Sequence, residues 1–273
     1  MIRSYILWGV ILVSILVGCT SETHTDEASA VTIPSGSTLN YGVLTTYPHD
    51  VTLFTEGLLM YKGKLYESTG SPSELQQTRS LIGVVNLANG KMEEKIELDR
   101  NKYFGEGIVF LNDKLYQLTY RTKIGFMYDA TTFKQIGTFT FPSNEGWGFT
   151  TDSTALIMSD GSNKLTYLNP KSFKVEKVLS VTENGSPVTN LNELEFIHGF
   201  IYANVYTTNF IVKIDPGTGK VVGRLDFSSL AYDAKAKNPS ALEMNGIAYD
   251  PTRNTVYITG KLWPVIYEVK INN

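Results

Sequence analysis

Glu106 stands between two glycines in "YFGEGIVF", directly ahead of a run of apolar, β-favouring residues. A carboxyl so placed can take and return a proton within hydrogen-bond reach of a bound molecule. Four comparable segments open on acidic or amide residues: Glu56 in "TEGLLMY", Glu145 in "NEGWGFT", Asn192 with Glu193 in "NELEFI", and Asn245 in "NGIAYD". Phe54, Phe104, Trp147, Tyr120 and Tyr206 lie close to these segments or to the strands that follow them, and Lys261 follows a glycine in "TGKLWP". Aromatic walls with a few convergent polar groups describe a pocket for a small ligand. Taken singly, each polar position also has an ordinary reading as a hydrogen-bonded strand end. Metal chemistry finds little support, because His24, His49 and His198 are the only histidines and none is at ligand spacing with another. His49 in "YPHD" reads as a structural hydrogen-bonding residue and His24 as a solvated one. No serine nucleophile motif stands out, "DGS" at 160–162 reading as a turn.

The spacing of these markers implies the scaffold. Glu56, Glu106, Glu145, Asn192 and Asn245 are 50, 39, 47 and 53 residues apart. A second pattern runs out of phase with the first, a turn at Asn86, Asp129, Asn169 and Asp215, at intervals of 43, 40 and 46. Five units of strand, tight turn, strand, loop, strand, turn, strand imply an all-β fold, a five-bladed β-propeller. The fifth unit lacks an outer strand before the chain ends. Residues 39–48, "LNYGVLTTYP", can supply it, so that the ring is closed by an N-terminal strand pairing with the last blade and no edge is left open. A two-sheet sandwich is the alternative, which the regular units disfavour. In a propeller the first strand of each blade lines the central channel, so all five markers point toward one axial mouth.

At 273 residues and 42% hydrophobic content the chain can fill the core of one large domain. A formal charge of −3 without a Lys/Arg block excludes a nucleic-acid partner. The N-terminus, "MIRSYILWGVILVSILVGC", has a basic Arg3, an apolar run and the only cysteine of the chain. It reads as a secretory signal, and "LVGC" resembles the lipobox of bacterial lipoproteins. The expected organisation is a signal peptide at 1–18, a lipidated Cys19 with a flexible polar tether at 19–37, and the propeller at 38–273. The protein is then exported and anchored by lipid to a membrane of the cell envelope, with no intramolecular disulfide.

Taken together, "YPHDVTLFTEGL", "LYESTG", "FGEGI", "QLTY", "EGWGFT", "LNELE", "ANVY", "IDPGTG", "NGIAYD" and "TGKLWP" resemble the glutamine cyclotransferases, the plant and bacterial type of glutaminyl cyclase. The matches run in order from about Tyr47 to Pro264. The resemblance implies a five-bladed propeller that converts N-terminal glutamine of peptides or proteins to pyroglutamate and releases ammonia, an acyl transfer without a metal or other cofactor. It assigns the general acid/base to Glu106 and substrate binding to Phe54, Glu56, Phe104, Tyr120, Trp147, Asn192, Tyr206 and Lys261. Three of these depart from the family pattern: Glu56 replaces a glutamine, and Tyr120 and Tyr206 each replace a tryptophan. Two rival readings stay open from the residues alone. Paired carboxylates also suit glycoside hydrolysis, and the same propeller could bind peptide termini or another small ligand without turning it over.

Overall fold

In a computed structural model of the chain, residues 37–272 are described; the signal segment 1–18, Cys19, His24 and the tether up to residue 36 lie outside them. The recurrent turn shows why different residues give one shape. In "NLANG", "DATTF", "NPKSF" and "DPGTG", the side-chain oxygen of Asn86, Asp129, Asn169 or Asp215 accepts an N–H two residues on. Each turn then closes through the N–H of Gly90, Phe133, Phe173 or Gly219 onto the carbonyl of its own Asn or Asp. Those four closing residues all have positive φ, from 56° to 73°. Glycine adopts this conformation freely. The two phenylalanines offset its cost by packing, with Phe173 stacked on Phe139 at 4.5 Å and Phe133 against Tyr66.

Five four-stranded antiparallel sheets follow. Blade I comprises Thr55–Tyr61, Lys64–Thr69, Leu81–Val85 and Met92–Glu97; blade II, Gly105–Leu111, Lys114–Thr119, Ile124–Asp129 and Gln135–Thr140. Blade III comprises Phe149–Thr151, Leu156–Met158, Lys164–Leu168 and Val175–Ser180; blade IV, Leu191–Ile197, Phe200–Val205, Phe210–Ile214 and Val221–Asp226. Blade V takes Met244–Asp250, Thr255–Gly260 and Val265–Asn272 from the end of the chain and Asn40–Pro48 from ahead of blade I, paired from Asn40 opposite Asn272 to Pro48 opposite Val265 with a bulge between Val43 and Thr45. The first strands neighbour one another around the ring. Inner strands such as Gly105–Leu111 are buried throughout, whereas outer strands such as Val175–Ser180 are largely exposed, so the apolar runs belong to the axis.

The core is five seams rather than one centre. Each hydrophobic cluster joins two adjacent blades: Ile82 and Tyr66 of blade I with Ile108 and Phe126 of blade II, and so on around to Leu58 and Val85 of blade I with Tyr257 and Ile266 of blade V. Polar contacts pin the closing segment. Both ring nitrogens of buried His49 face acceptors, Nδ1 the carbonyl of Trp263 at 2.8 Å and Nε2 the Glu67 carboxyl at 3.0 Å. Tyr47 donates to Glu268 at 2.8 Å. Two elements lie outside the four-stranded blades: a short hairpin of Thr182–Glu183 with Ser186–Pro187, and a helix, Ser228–Lys237, between blades IV and V. The helix buries only Leu230 and Ala234, against the blade IV/V seam.

Candidate active site

Four of the five markers sit on a break in the ladder. Pairing of the first and second strands shifts register between Thr55 and Gly57 in blade I, between Gly105 and Ile108 in blade II, between Leu191 and Leu194 in blade IV, and between Met244 and Ile247 in blade V. The residues set loose are Glu56, Glu106, Asn192 with Glu193, and Asn245. A bulge re-aims a side chain that regular pleating would fix to one face. In blade III the corresponding Trp147–Gly148 precedes the strand, and the Trp147 carbonyl accepts the N–H of Gly107 at 2.8 Å. The glycines let these breaks nest: a Cβ on Gly107 would meet the Trp147 carbonyl oxygen at 2.6 Å, and one on Gly148 the Asn192 carbonyl oxygen at 2.0 Å.

A cavity of about 160 Å³ opens where the breaks converge, lined by Phe54, Glu56, Pro72, Phe104, Glu106, Tyr120, Trp147, Asn192, Tyr206 and Lys261. Phe54 and Phe104 meet edge to face at 6.1 Å, Phe104 lies 5.7 Å from Tyr120, and Trp147 meets Tyr206 edge to face at 5.6 Å. Lys261 Nζ donates to Glu56 Oε1 at 2.8 Å and sits 4.5 Å from the Phe54 ring centroid and 5.1 Å from that of Tyr206. Asn245 Nδ2 donates to Glu56 Oε2 at 3.1 Å. Among the described residues no donor bonds the Glu106 carboxyl, although the Glu106 carbonyl accepts from Ser68 Oγ at 2.6 Å. The buried Oδ1 of Asn192 likewise has no protein partner.

Burial and charge then divide the two carboxyls. Burial is the largest influence on each and disfavours the ionised form. Glu56 is pushed up to about 7, with the Lys261 ammonium opposing the shift. Glu106 is raised well above the ordinary carboxyl range, first by burial and then by the charge on Glu56, with Lys261 again opposing. Burial works against the Lys261 ammonium, yet the carboxylates of Glu56 and Glu106 outweigh it, and its pKa is raised. One buried cation cannot balance two buried carboxylates. Both carboxyls are therefore pushed toward the protonated form, and Glu56 alone of the two is bonded to Lys261. The site thus sets a carboxyl with raised pKa, unbonded among the described residues, in the same cavity wall as an ammonium held by Glu56.

All nine residues singled out from the sequence line this one cavity. The other markers behave differently from the expectation that they aim at the mouth. Glu145 lies outside the cavity lining, where Oε1 accepts from Arg121 Nε at 2.8 Å and Oε2 from Trp147 Nε1 at 3.0 Å, so it holds the indole in place. Asn245 works through Glu56. Glu193 turns the other way, its two oxygens accepting the N–H groups of Leu58 at 3.1 Å and Ile247 at 2.9 Å. Pro72 was not anticipated, because a proline in a polar loop carries no sign of what the loop covers. Arg121 was not anticipated either: it lies over the Tyr120 ring at 4.4 Å and donates to the Tyr120 hydroxyl at 2.9 Å, satisfying the group that distinguishes this tyrosine from tryptophan.

The sequence model for glutamine cyclotransferases matches residues 11–271. A glutaminyl-peptide cyclotransferase of Arabidopsis thaliana is 37% identical over 232 residues, covering 84% of this chain and 70% of the relative. The crystal structure of Myxococcus xanthus glutaminyl cyclase superimposes with a TM-score of 0.78 at 31% identity, covering 87% of this chain and 99% of that one.

Proposed function

Because this chain belongs to the glutamine cyclotransferase family, we propose that it is a glutaminyl-peptide cyclotransferase, an acyltransferase converting N-terminal glutamine of peptides and proteins to pyroglutamate with release of ammonia. The observation that carries the mechanism is the Glu106 carboxyl: buried, raised in pKa, free of protein donors among the described residues, and set in the wall of an aromatic cavity.

The substrate supplies both reacting groups, so ring closure is intramolecular and the protein's first task is to hold the side chain curled. Trp147, Tyr120, Tyr206, Phe54 and Phe104 supply that shape. The α-amine attacks the γ-carboxamide carbon, and the C–N bond to the departing nitrogen breaks. The attacking nitrogen gives up one proton and the leaving nitrogen gains one. A protonated Glu106 gives its proton to the leaving nitrogen and recovers one from the attacking amine, ending as it began. Lys261, fixed by Glu56, stabilises the negative charge that develops on the carboxamide oxygen. The unpartnered Asn192 carbonyl offers an acceptor for a substrate N–H. Turnover needs one proton on the pair formed by Glu106 and the amine: two leave the amine non-nucleophilic, and none leaves the departing nitrogen without a donor. The kcat/KM profile is then bell-shaped, one limb set by Glu106 and the other by the amine, near pH 8.

Metal independence belongs to the same proposal. Among the described residues no group of three or more His, Cys, Asp or Glu could hold a metal ion. Ammonia release from a Gln-initiated dipeptide tests both points: it is expected to survive a chelator and to vanish in Glu106→Gln. Loss of release with chelator alone, restored by added metal, would overturn the metal-free reading. Export and lipid anchoring at Cys19 complete the proposal, supported by the basic residue, apolar run and "LVGC" of the N-terminus. In a bacterial host, Cys19→Ser is expected to move the protein from the membrane pellet to the soluble fraction.

A further inference from the structure

The cavity wall is built from two sets of loops. Chain segments that lead into the first strands carry Phe54, Phe104 and Trp147, with Asn192 on the break that follows such a segment in blade IV. Glu56 and Glu106 stand on the breaks of the first strands themselves, and the connections between second and third strands carry Pro72, Tyr120, Tyr206 and Lys261. In blades II to V these connections are residues 120–123, 159–163, 206–209 and 261–264, four or five residues each, and three of them begin with a wall residue, Tyr120, Tyr206 or Lys261. Blade I is the exception: residues 70–80, eleven residues, join its second and third strands, and Pro72 is their contribution to the wall.

A loop of that length needs something to hold it. Within the loop, Leu75 N donates to the Pro72 carbonyl and Thr78 N to the Leu75 carbonyl, which shapes it without tying it down. Its neck is closed by Ser71 Oγ and Ser80 Oγ at 2.8 Å, and Ser80 Oγ also accepts the N–H of Gly105, the residue before Glu106. The outer part is gripped from a different segment. Arg100, in the connection from blade I to blade II, donates through Nη1 to the carbonyls of Gln76 at 3.1 Å and Thr78 at 3.2 Å, and through Nη2 to that of Pro72 at 3.3 Å. Among the described residues Arg100 forms no ion pair with a carboxylate; its guanidinium bonds are these three carbonyls.

We infer that Arg100 is a positioning residue for substrate binding, which acts by fixing the 70–80 loop so that Pro72 completes the wall against which the N-terminal glutamine packs. A guanidinium fork is suited to the task because its rigid plane presents several donors at once. The inference rests on the cavity being the substrate site. Arg100 touches neither the cavity nor the reacting atoms, so its loss should weaken binding far more than chemistry.

The test is a double-mutant cycle between Arg100→Met and Pro72→Ala, read as kcat and KM for a Gln-initiated dipeptide and, independently of turnover, as Kd for the same dipeptide on the Glu106→Gln background. Methionine keeps the apolar stem of the arginine and removes its donors. Arg100→Met is expected to raise KM and Kd about tenfold with kcat within about threefold, the scale of a few hydrogen bonds lost. Pro72→Ala should do the same in kind, and the double variant should be no worse than the weaker-binding single variant. Arg100→Lys, with a single ammonium in place of the fork, should fall between. Additive effects, an unchanged Kd in Arg100→Met, or a fall in kcat at constant KM would overturn the inference. Absence of ammonia release by the wild type would be a failure of the catalytic reading, and the Kd values would still decide the role of Arg100.

Discussion

Blades II and IV each carry a buried glutamate on the bulge of the inner strand, Glu106 in one and Glu193 in the other. Both are raised well above the ordinary carboxyl range, with burial the largest cause. Their surroundings differ. Glu193 reaches from blade IV to the amide groups of Leu58 in blade I and Ile247 in blade V, spending both oxygens on tying the inner strands together. Glu106 has no donor among the described residues and lines the cavity. The same backbone device thus serves cohesion in one blade and leaves an unbonded carboxyl open to the cavity in another. A shifted pKa does not distinguish the two, since structural carboxyls are perturbed as well; the hydrogen-bond inventory does.

The sharpest way to break this contrast is to neutralise each acid in turn. Glu106→Gln should lower ammonia release by about 10³-fold, within the range for a lost general acid/base, and leave the melting temperature unchanged or higher, since no bond is lost. Retention of more than a tenth of the activity would place the proton carrier elsewhere. Glu193→Gln should do the reverse. Its amide nitrogen would face a backbone N–H, at a cost of roughly 2–3 kcal/mol, which for a domain of this size lowers the melting temperature by roughly 5–10 °C. The kcat of the folded variant should stay within about threefold of wild type, and a catalytic collapse without loss of stability would erase the distinction.

Glu56→Gln sharpens the comparison by changing the neighbour of Glu106 and not Glu106 itself. The Glu56 charge holds the Glu106 pKa up, so its removal lowers it. The limb of the kcat/KM profile governed by Glu106 should therefore move to lower pH, while the limb set by the substrate amine stays. A limb that moves upward would contradict the charge coupling, and one that does not move would show that Glu106 does not set it. The smallest effect is expected at the rim. Tyr120→Trp forfeits the bond from Arg121, which is exposed to solvent, so KM should change by about two- to threefold, the value of a surface hydrogen bond. A change beyond tenfold would mean that the hydroxyl touches substrate.

Much of this arrangement was legible in the residues. The repeated markers and Asx turns gave five blades, the incomplete fifth unit required residues 39–48, and the resemblance named nine wall residues that converge on one cavity. What stayed hidden has physical causes. Ser228–Lys237 buries too few side chains to leave an apolar periodicity. In "LNELE", alternation alone cannot tell which of Asn192 and Glu193 meets the cavity, because the bulge suspends the period of two that such reasoning depends on. Glu145 looks like its counterpart Glu106 in the sequence, yet it finds Arg121 and the Trp147 indole and is used up by them.

The sequence by itself determined the number of blades and the strand that closes the ring, since these depend on local turn chemistry and on spacing along the chain, and its resemblance to a family pointed to the residues that line the cavity. Only the tertiary structure decided which carboxyl is bonded and which is open to the cavity, that Asn245 and Lys261 fix Glu56, that Glu193 crosses to other blades, and that Arg100 holds the loop carrying Pro72. Those outcomes depend on burial and on partners from distant segments, and neither exists until the five seams are packed.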